Sequence, residues 1–317
     1  MHEKLQNVAD MLKSAKDIAV FCHTNPDGDT ISCALSLCRA LGKLGKTVTP
    51  ICDCEIPEKY RFMEGADKFE LPGKRVHEAA LAVDCSDLAR LGGAGKCFLS
   101  AKRRAAVAHH KSHENFAETD YTEADAAACA EIVFLLLDGM GLVDDGVAAL
   151  LFAGIVADTG CFQYPSTTRR THLIACELMK RDINSSEIIY RVHRRLSEEV
   201  FRLKTRVLNS CRFFDGGKIA LISFFKKDFD ETGTSSSDTE GIISSAIDVD
   251  GVEVAFAVSE VKDKNFKVSI RTKDYADASD IASAFGGGGH LRAAGCRLNG
   301  YYEDVVDKLL KAARDRM

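Results

Sequence analysis

The first half of the chain alternates helical and strand-like hydrophobic patterns. Residues 3–15 repeat apolar positions at helical spacing, whereas residues 18–22 form a short apolar run typical of a buried strand. The same patterns predict helices at 30–44 and 124–139, strands at 48–52, 80–84 and 105–108, and an apolar run at 147–157 that we also take to end at the sheet edge. Strands separated by helices predict an α/β fold with a doubly wound parallel sheet.

The pattern changes after about residue 190. A predicted helix at 185–195 continues into a charged helical segment at 197–209. Strand-like runs then follow one another closely at 218–225, 252–261 and 266–271, with helices predicted at 239–246 and 278–285. We therefore predict a first domain at 1–190, a helical connector at 191–212 and a smaller mixed α+β domain at 213–317.

Composition narrows the class of protein. With 317 residues, 46% of them hydrophobic, the chain can build two cores, and a net charge of −5 argues against a protein that coats long duplex nucleic acid. The twelve cysteines lack paired spacing, and Cys52-Asp-Cys54 is better explained as a strand end than as a metal clip, so we expect free thiols in a reducing cytoplasm. The polar start and the absence of a long apolar run predict neither signal peptide nor membrane span.

Three side chains suited to metal binding follow the predicted strand 18–22, namely His23, Asp27 and Asp29. Ligands of open α/β sheets gather beyond the carboxyl ends of the strands. Pro26 and Gly28 permit the sharp turn that would bring the three side chains together. Imidazole and carboxylate together suit Mn²⁺, Zn²⁺ or Fe²⁺. The alternative is a loop that caps the next helix, with Asp29 or Thr30 as N-cap.

Later strand ends carry the same kinds of side chain, at Asp84, at His109 and His110, and at Asp158. Any one of them could be a helix cap or a solvated side chain, but their repetition along one sheet edge favours a shared site. Four carboxylates and two imidazoles in one crevice would repel one another strongly unless cations lay between them. Two divalent ions fit this number of ligands, with one carboxylate bridging them.

A glycine run marks the second domain, comprising Gly286, Gly287, Gly288 and Gly289 before His290. Four glycines let a backbone approach a ligand closely, although such a run could also be a flexible loop. A helix beginning after the run would add an anion site. Arg271 on the preceding strand could pair with two phosphate oxygens, and simple solvation is an equally open alternative.

At this point the chain resembles the DHH/DHHA1 phosphoesterase superfamily, particularly NrnA-type nanoRNases that also act on 3′-phosphoadenosine 5′-phosphate (pAp). The resemblance rests on His23-x-x-x-Asp27-x-Asp29, Val83-Asp84, His109-His110, Ala157-Asp158-Thr-Gly160 and Gly286-Gly-Gly-Gly-His290-Leu-Arg-Ala-Ala-Gly295, with Asp238-Thr-Glu240-Gly241 and Ser269-Ile-Arg271 as further similar segments. It covers nearly the whole chain. It implies a DHH catalytic domain at 1–190 and a DHHA1 substrate-binding domain at 213–317.

The resemblance also implies roles for single residues. His23 and Asp27 would bind one ion, Asp29 and His109 the other, while Asp84 bridges them and Asp158 completes a site for two divalent ions, preferentially Mn²⁺. His110 would contact a phosphate oxygen or assist the leaving group, or else make a structural hydrogen bond to its loop. Arg271 and the glycine turn through His290 would hold a terminal phosphate.

One position departs from the family pattern. The family triplet Asp-His-His reads Ala108-His109-His110 here, and His113 occupies a position where the family often has Asn. The missing carboxylate is of the kind that supports metal ligands, and its loss typically changes affinity or activity 10–100-fold. The chain is therefore expected to be impaired. A natural variant and a deliberate substitution that traps substrate are both open, and the intact remaining ligands favour the second.

These observations predict a phosphodiesterase with two metal ions that acts on nanoRNA and linear dinucleotides such as pApA or pGpG and releases nucleoside monophosphates. A pAp phosphatase is the alternative enzyme, and a catalytically silent dinucleotide-binding protein is the alternative from another class. Short oligonucleotides are the expected partners, without long duplexes or membranes. The oligomeric state stays open, with a homodimer among the alternatives.

Overall fold

The computed structural model describes residues 2–239 and 241–317. The chain forms two compact units, Met1–Arg195 and Leu196–Met317. The predicted connector 191–212 is divided between them, because its helix α8 (Glu198–Asn209) buries Leu203 and Val207 in the core of the second unit.

The first unit contains seven α-helices and five strands among its described residues. The helices are α1 (Glu3–Ser14), α2 (Gly28–Gly42), α3 (Gly95–Ser100), α4 (Cys129–Gly139), α5 (Asp145–Asp158), α6 (Arg169–Met179) and α7 (Ser185–Ile189). The strands are β1 (Asp17–Phe21), β2 (Thr47–Ile51), β3 (Ala79–Val83), β4 (Arg103–Ala108) and β5 (Thr119–Thr122). A single π-helical segment, Tyr190–Arg194, continues α7, where the sequence predicts an unbroken helix.

The sheet of this unit is fully parallel in the order β2-β1-β3-β4-β5. This confirms the predicted doubly wound α/β architecture. Val20 of β1 lies opposite Leu81 of β3, and Ala82 of β3 lies opposite Ala106 of β4, so the carboxyl ends of these strands share one edge. The sequence pattern missed β5 and α6, because β5 is a short edge strand with mostly polar residues.

The prediction of a strand end before Asp158 is wrong. The apolar run 147–157 lies inside helix α5, and Asp158 is the last residue of that helix. This helix is apolar on every side because α2, α4 and α6 surround it, so its sequence shows no periodicity. Asp144 caps its start by accepting a hydrogen bond from the Val147 N–H at 2.8 Å.

The described part of the second unit has a six-stranded mixed sheet in the order β10-β11-β9-β8-β7-β6. Its strands are β6 (Arg212–Phe214), β7 (Ile219–Phe224), β8 (Val254–Lys262), β9 (Asn265–Thr272), β10 (Gly288–His290) and β11 (Ala293–Asn299). Only the β7–β8 pair is parallel. The predicted mixed α+β architecture is therefore confirmed.

Helices cover both faces of this second sheet. Besides α8 they are α9 (Lys226–Thr232), α10 (Ser244–Ile247), α11 (Ala278–Ser283) and α12 (Tyr302–Arg314). Leu309 of α12 and Ile281 of α11 share one hydrophobic core with the sheet, while Leu203 of α8 and Ala246 of α10 belong to the core on the other face. The predicted helix at 239–246 is reduced to α10 and the short 3₁₀ segment Ser236–Thr239, and Glu240 lies outside the described residues.

The glycine run does not precede a helix. Gly288 and Gly289 belong to β10, which forms an antiparallel hairpin with β11. A Cβ on Gly287 or Gly289 would collide with the backbone of β11, so these positions need glycine for contact within the chain itself. The anion site expected from a helix start after the run is therefore absent.

Two further expectations are free thiols and the absence of a membrane span. All twelve cysteines are free, and the Cys52 and Cys54 sulfurs lie 3.6 Å apart. Among the described residues, every helix is too short or too polar to cross a lipid bilayer.

Candidate metal centre

The structure gathers the predicted ligands at the carboxyl edge of the parallel sheet. Asp84 directly follows β3, His109 and His110 directly follow β4, and His23 lies two positions beyond the end of β1. The remaining members come from helices, since Asp27 caps α2, Asp29 lies in its first turn and Asp158 ends α5. Strands and helix ends together therefore build one cluster.

Asp84 occupies the centre of this cluster. Its Oδ1 lies 3.3 Å from Nε2 of His109 and 3.1 Å from Nε2 of His110, and its Oδ2 lies 3.7 Å from Nε2 of His23. Asp84 is 2% exposed and adopts a left-handed backbone conformation with φ of 58°. Such a conformation is uncommon for a non-glycine residue, although Asp adopts it more readily than most, and it recurs at active sites.

Asp84 Oδ1 fits a cation-binding role. It is buried, and although Nε2 of His109 and of His110 lie 3.3 and 3.1 Å away, neither contact has the geometry of a hydrogen bond, and no other described residue provides one. A buried carboxylate oxygen without a hydrogen bond costs considerable free energy unless a cation compensates it. The donor set around it, imidazole nitrogens and carboxylate oxygens, suits Mn²⁺, Fe²⁺ or Zn²⁺.

Asp27 combines two contacts in one carboxylate. Its Oδ1 accepts hydrogen bonds from the N–H groups of Asp29 and Thr30 at 3.0 and 3.1 Å, which caps helix α2. Its Oδ2 faces Nε2 of His23 at 3.6 Å. The helix cap considered from sequence is thus present, but Asp27 provides it instead of Asp29 or Thr30. Capping orients this carboxylate toward the cluster.

Asp29 connects the cluster to helix α4. Its carboxylate accepts hydrogen bonds from the N–H groups of Cys129 and Ala130 at 2.6 and 3.0 Å. It also lies with His109 and Asp158 in a group whose ligand atoms are within 4.8 Å of one another. His109 Nε2 and Asp158 Oδ2 are 3.3 Å apart. Asp29 therefore both supports the fold and offers a ligand.

Backbone carbonyls orient the imidazoles of His23, which is buried, and His109, which is partly buried. Nδ1 of His23 lies 3.0 Å from the Thr24 carbonyl, and Nδ1 of His109 lies 3.1 Å from the Ala126 carbonyl. A proton on Nδ1 donated to these carbonyls leaves each Nε2 lone pair directed at the cluster. This is the usual arrangement of a metal-binding histidine.

The close packing of imidazoles and carboxylates shifts the pKa values of the cluster. Burial opposes charge on His23, but Asp27 and Asp84 outweigh it and raise the His23 pKa to about 10. His109 behaves alike, with its pKa raised to about 11, mainly by Asp84. Burial and the Asp84 charge raise the pKa of Asp29, and burial raises that of Asp158 to about 7. The chain alone therefore holds protons where divalent cations would balance the charge.

Three overlapping ligand sets are present among the described residues. They are His23, Asp27 and Asp84; Asp29, His109 and Asp158; and Asp84, His109 and His110. The first two sets correspond to the two predicted ions, with Asp84 close to both. The assignment of single ligands to single ions stays a prediction.

Ala108 and His113 lie in the strand end and loop that carry the two histidines. Ala108 ends β4 and is fully buried. Nε2 of His113 lies 2.9 Å from Asp120 Oδ1, and its Nδ1 lies 2.9 Å from the Cys85 carbonyl. Asp120 also accepts a hydrogen bond from the Ala117 N–H at 2.9 Å. His113 therefore anchors the loop through its contacts with Asp120 and the Cys85 carbonyl. Sequence reasoning missed Asp120.

Sequence reasoning also missed Arg90. This residue lies in the 3₁₀ segment Leu88–Ala94, and its Nη2 is 3.2 Å from Nδ1 of His23. Its only signal in the sequence is its position in the loop after Asp84, which does not distinguish it from a solvated arginine.

Two predicted substrate residues of the second unit, Arg271 and His290, share one sheet face. Arg271 pairs with Ala293, and Ala293 pairs with His290, so all three project from the same side. His290 is exposed and Arg271 half-buried, and Arg271 Nη1 donates to the Ile270 carbonyl at 3.0 Å. A Cβ on Gly286 or Gly288 would meet open space. The small residues between Arg271 and His290 thus leave a shallow exposed surface.

Family comparisons match both units. The model of the DHH family, N-terminal domain, matches residues 17–155, and that of the DHHA1 domain matches residues 217–317.

Curated relatives extend over nearly the whole chain. A bifunctional oligoribonuclease and PAP phosphatase NrnA of Thermus thermophilus is 28% identical, with 99% of this chain and 95% of the relative covered. The protein of the same description from Bacillus subtilis is 24% identical over 91% of this chain and 90% of its own length. An exopolyphosphatase-related protein from Bacteroides fragilis shares the fold, with a TM-score of 0.92 at 24% identity, over 99% of this chain and 96% of that structure.

Proposed function

Because this chain belongs to the DHH/DHHA1 superfamily, as its motifs predicted, we propose that it is a metal-dependent phosphodiesterase of very short oligonucleotides. The observation that carries the proposal is the buried Asp84 carboxylate, whose Oδ1 lacks a hydrogen bond while three histidines and three further carboxylates surround it. Such a site is suited to divalent ions that act on a phosphoryl group. Two relatives named as oligoribonucleases and PAP phosphatases support the substrate class.

The first unit provides the chemistry in this proposal. His23 and Asp27 would hold one ion, Asp29, His109 and Asp158 the other, and Asp84 would lie between the two. When bound, the ions would supply an activated water and offset the negative charge on the leaving oxygen. His110, whose Nε2 is 3.1 Å from Asp84 Oδ1, would contact a phosphate oxygen or donate a proton to the leaving oxygen.

The second unit provides an anion-binding face in this proposal. Arg271 would hold a terminal phosphate through two parallel hydrogen bonds, and His290 on the same face would contribute a further donor. The open surface at Gly286 and Gly288 would accept the sugar or base. Linear dinucleotides such as pApA and pGpG are the substrates that we propose first, with nucleoside monophosphates as products.

Two other functions follow from particular observations. The relatives named as PAP phosphatases favour pAp as a second substrate of the same site. Ala108 favours a binding protein without turnover, because it removes the carboxylate of the family triplet. Both alternatives use the same metal ligands.

The proposal is tested by incubating the protein with Mn²⁺ and 5′-phosphorylated oligonucleotides of two to about ten residues, with pAp in parallel. We expect the shortest oligonucleotides to be converted fastest into monophosphates, and Asp84→Asn to abolish this conversion. Tight binding without conversion would support the silent binding protein. A preference for the longest oligonucleotides, or equal rates in the absence of divalent ions, would contradict the proposal.

A further inference from the structure

Arg90 is an arginine beside the metal centre that no family motif above includes. We infer that Arg90 binds a non-bridging oxygen of the phosphate that reacts at the metal centre. This inference rests on the proposed function. It gives the first unit a positively charged residue that contacts the substrate.

The backbone around Arg90 is held firmly next to the cluster. Its carbonyl accepts a hydrogen bond from the Thr24 N–H at 2.7 Å, and its own N–H donates to Asp87 Oδ1 at 3.0 Å. The Gly93 N–H donates to Asp53 Oδ2 at 2.6 Å, and a Cβ on Gly92 would collide with Thr24 and Asp53. The loop is therefore fixed to the residues that follow β1 and β2, and the position of Arg90 relative to His23 is defined.

The guanidinium lies beside a ring nitrogen that can accept a hydrogen bond in only one tautomer of His23. Its Nη2 is 3.2 Å from Nδ1 of His23, but that nitrogen lies 3.0 Å from the Thr24 carbonyl. If His23 presents its Nε2 lone pair to the cluster, its Nδ1 carries the proton and donates to Thr24. Arg90 then faces a second donor, because a guanidinium only donates hydrogen bonds. In that tautomer, the contact between Arg90 and His23 is proximity without a hydrogen bond.

Other arginines of the first unit differ from Arg90. Each of three examples lies within ion-pair distance of a carboxylate: Arg39 with Asp144, Arg75 with Asp17 and Arg104 with Glu118. Within the described part of the chain, no carboxylate oxygen lies within 4.0 Å of the Arg90 guanidinium. Its charge is thus available to an incoming anion, although the cluster beside it contains four carboxylates.

A phosphate oxygen is the acceptor that fits this arrangement. The guanidinium presents several N–H donors in a rigid plane that matches the oxygens of a phosphate group. A phosphodiester that approaches four carboxylates needs positive charge in addition to bound ions, and a fixed donor next to the reacting group stabilises the charge that develops there. Arg90 is exposed enough to be reached by a ligand, and its long side chain, which lies beside Nδ1 of His23, would turn toward a phosphate at the cluster.

Substitution of Arg90 separates this role from a purely structural one. We expect Arg90→Ala to bind Mn²⁺ as the unaltered protein does. When loaded with Mn²⁺, the variant should bind AMP at least about tenfold more weakly than the unaltered protein, and calorimetry measures both affinities. Hydrolysis of bis-p-nitrophenyl phosphate should fall by at least the same factor, because this ester contains only the reacting phosphate. Arg90→Lys should retain part of the AMP affinity. Added guanidinium ion should partly restore the hydrolysis rate of Arg90→Ala. Arg75→Ala is the matched control, since Arg75 pairs with Asp17 at the opposite end of β1.

Two results would overturn the inference. The first is unchanged AMP affinity in Arg90→Ala, and the second is a loss of Mn²⁺ affinity as large as the loss of AMP affinity, which would mean that Arg90 acts through His23. A thermal melt of each variant identifies misfolding, and Arg90→Lys tests the same point if Arg90→Ala does not fold. If the unaltered protein shows neither Mn²⁺-dependent AMP binding nor hydrolysis, the proposed function itself is wrong, and this inference is wrong with it.

Discussion

The carboxylate of Asp29 accepts a 2.6 Å hydrogen bond from the backbone N–H of Cys129, the first residue of helix α4. It therefore caps a helix that is distant in sequence and also faces the metal centre. This double contact makes Asp29 a residue at which stability and metal binding can be separated experimentally.

We expect Asp29→Ala to lower the free energy of unfolding in metal-free buffer by about 1–3 kcal/mol, because two buried N–H groups lose their acceptor. Asp29→Asn should lose less stability, since the amide oxygen still accepts one hydrogen bond. The substitution also removes the charge whose burial and repulsion by the nearby Asp84 raise the Asp29 pKa. Urea denaturation in the presence of a chelator measures both. Full stability of Asp29→Ala would show that α4 is capped by other groups.

Removal of Asp84 should affect both ions at once. Because its two oxygens face different histidines, Asp84→Ala should greatly lower the number of Mn²⁺ ions bound, as measured by calorimetry or metal analysis. Asp67→Ala changes an exposed carboxylate of the same unit and serves as the control. Two ions still bound by Asp84→Ala would refute the bridging assignment.

Restoring the family triplet should increase turnover. Ala108→Asp places a carboxylate at the end of β4, directly before His109, and should raise the rate at saturating Mn²⁺ by at least about tenfold. Rates are compared on the same 5′-phosphorylated dinucleotide. Since Ala108 is fully buried, the melting temperature of the variant must be recorded beside the rate. Equal rates in two folded proteins would show that position 108 is irrelevant to catalysis.

Arg271 should contribute to ligand affinity without contributing to the chemical step. Arg271→Ala should weaken the binding of dinucleotides and pAp by about 1.5–3 kcal/mol, the range for a hydrogen bond to a charged group. Hydrolysis of bis-p-nitrophenyl phosphate by the Ala108→Asp protein should stay nearly unchanged when Arg271→Ala is added. Similar losses on both substrates would place Arg271 in the support of the fold or of the metal centre.

The stability of the fold should depend on pH through Asp144. Burial opposes its charge, but Arg39, Lys43 and the Val147 N–H outweigh burial and hold its pKa well below the ordinary 3.8. The charged form therefore stabilises the fold above about pH 4, and this contribution is lost as the pH falls through the lowered pKa. Asp144→Asn keeps a good N-cap residue but removes the charge that faces Arg39 and Lys43, so it should cost about 1 kcal/mol at neutral pH and less in acid. A cost that does not vary with pH would exclude the ionic contribution.

Local pattern was sufficient for much of the fold. The parallel sheet could be predicted because β1 is a short apolar run between the helical patterns of α1 and α2, and β2 and β3 follow as further short apolar runs. The same reasoning failed for helix α5, since a helix buried on all sides shows no periodicity. It also missed β5, β10 and β11, whose short or glycine-rich segments become strands through pairing with their neighbours.

The sequence by itself determined the positions of the candidate ligands that follow strands, because parallel strands place the residues after them at a common edge. Asp84 and His109 could thus be placed together from sequence. Only the tertiary structure brought Arg90 next to His23, joined Asp29 to the start of α4 and showed that Asp158 ends a helix. These contacts join residues far apart in the chain, and they arise when loops and helices pack against one another, which no local pattern of residues encodes.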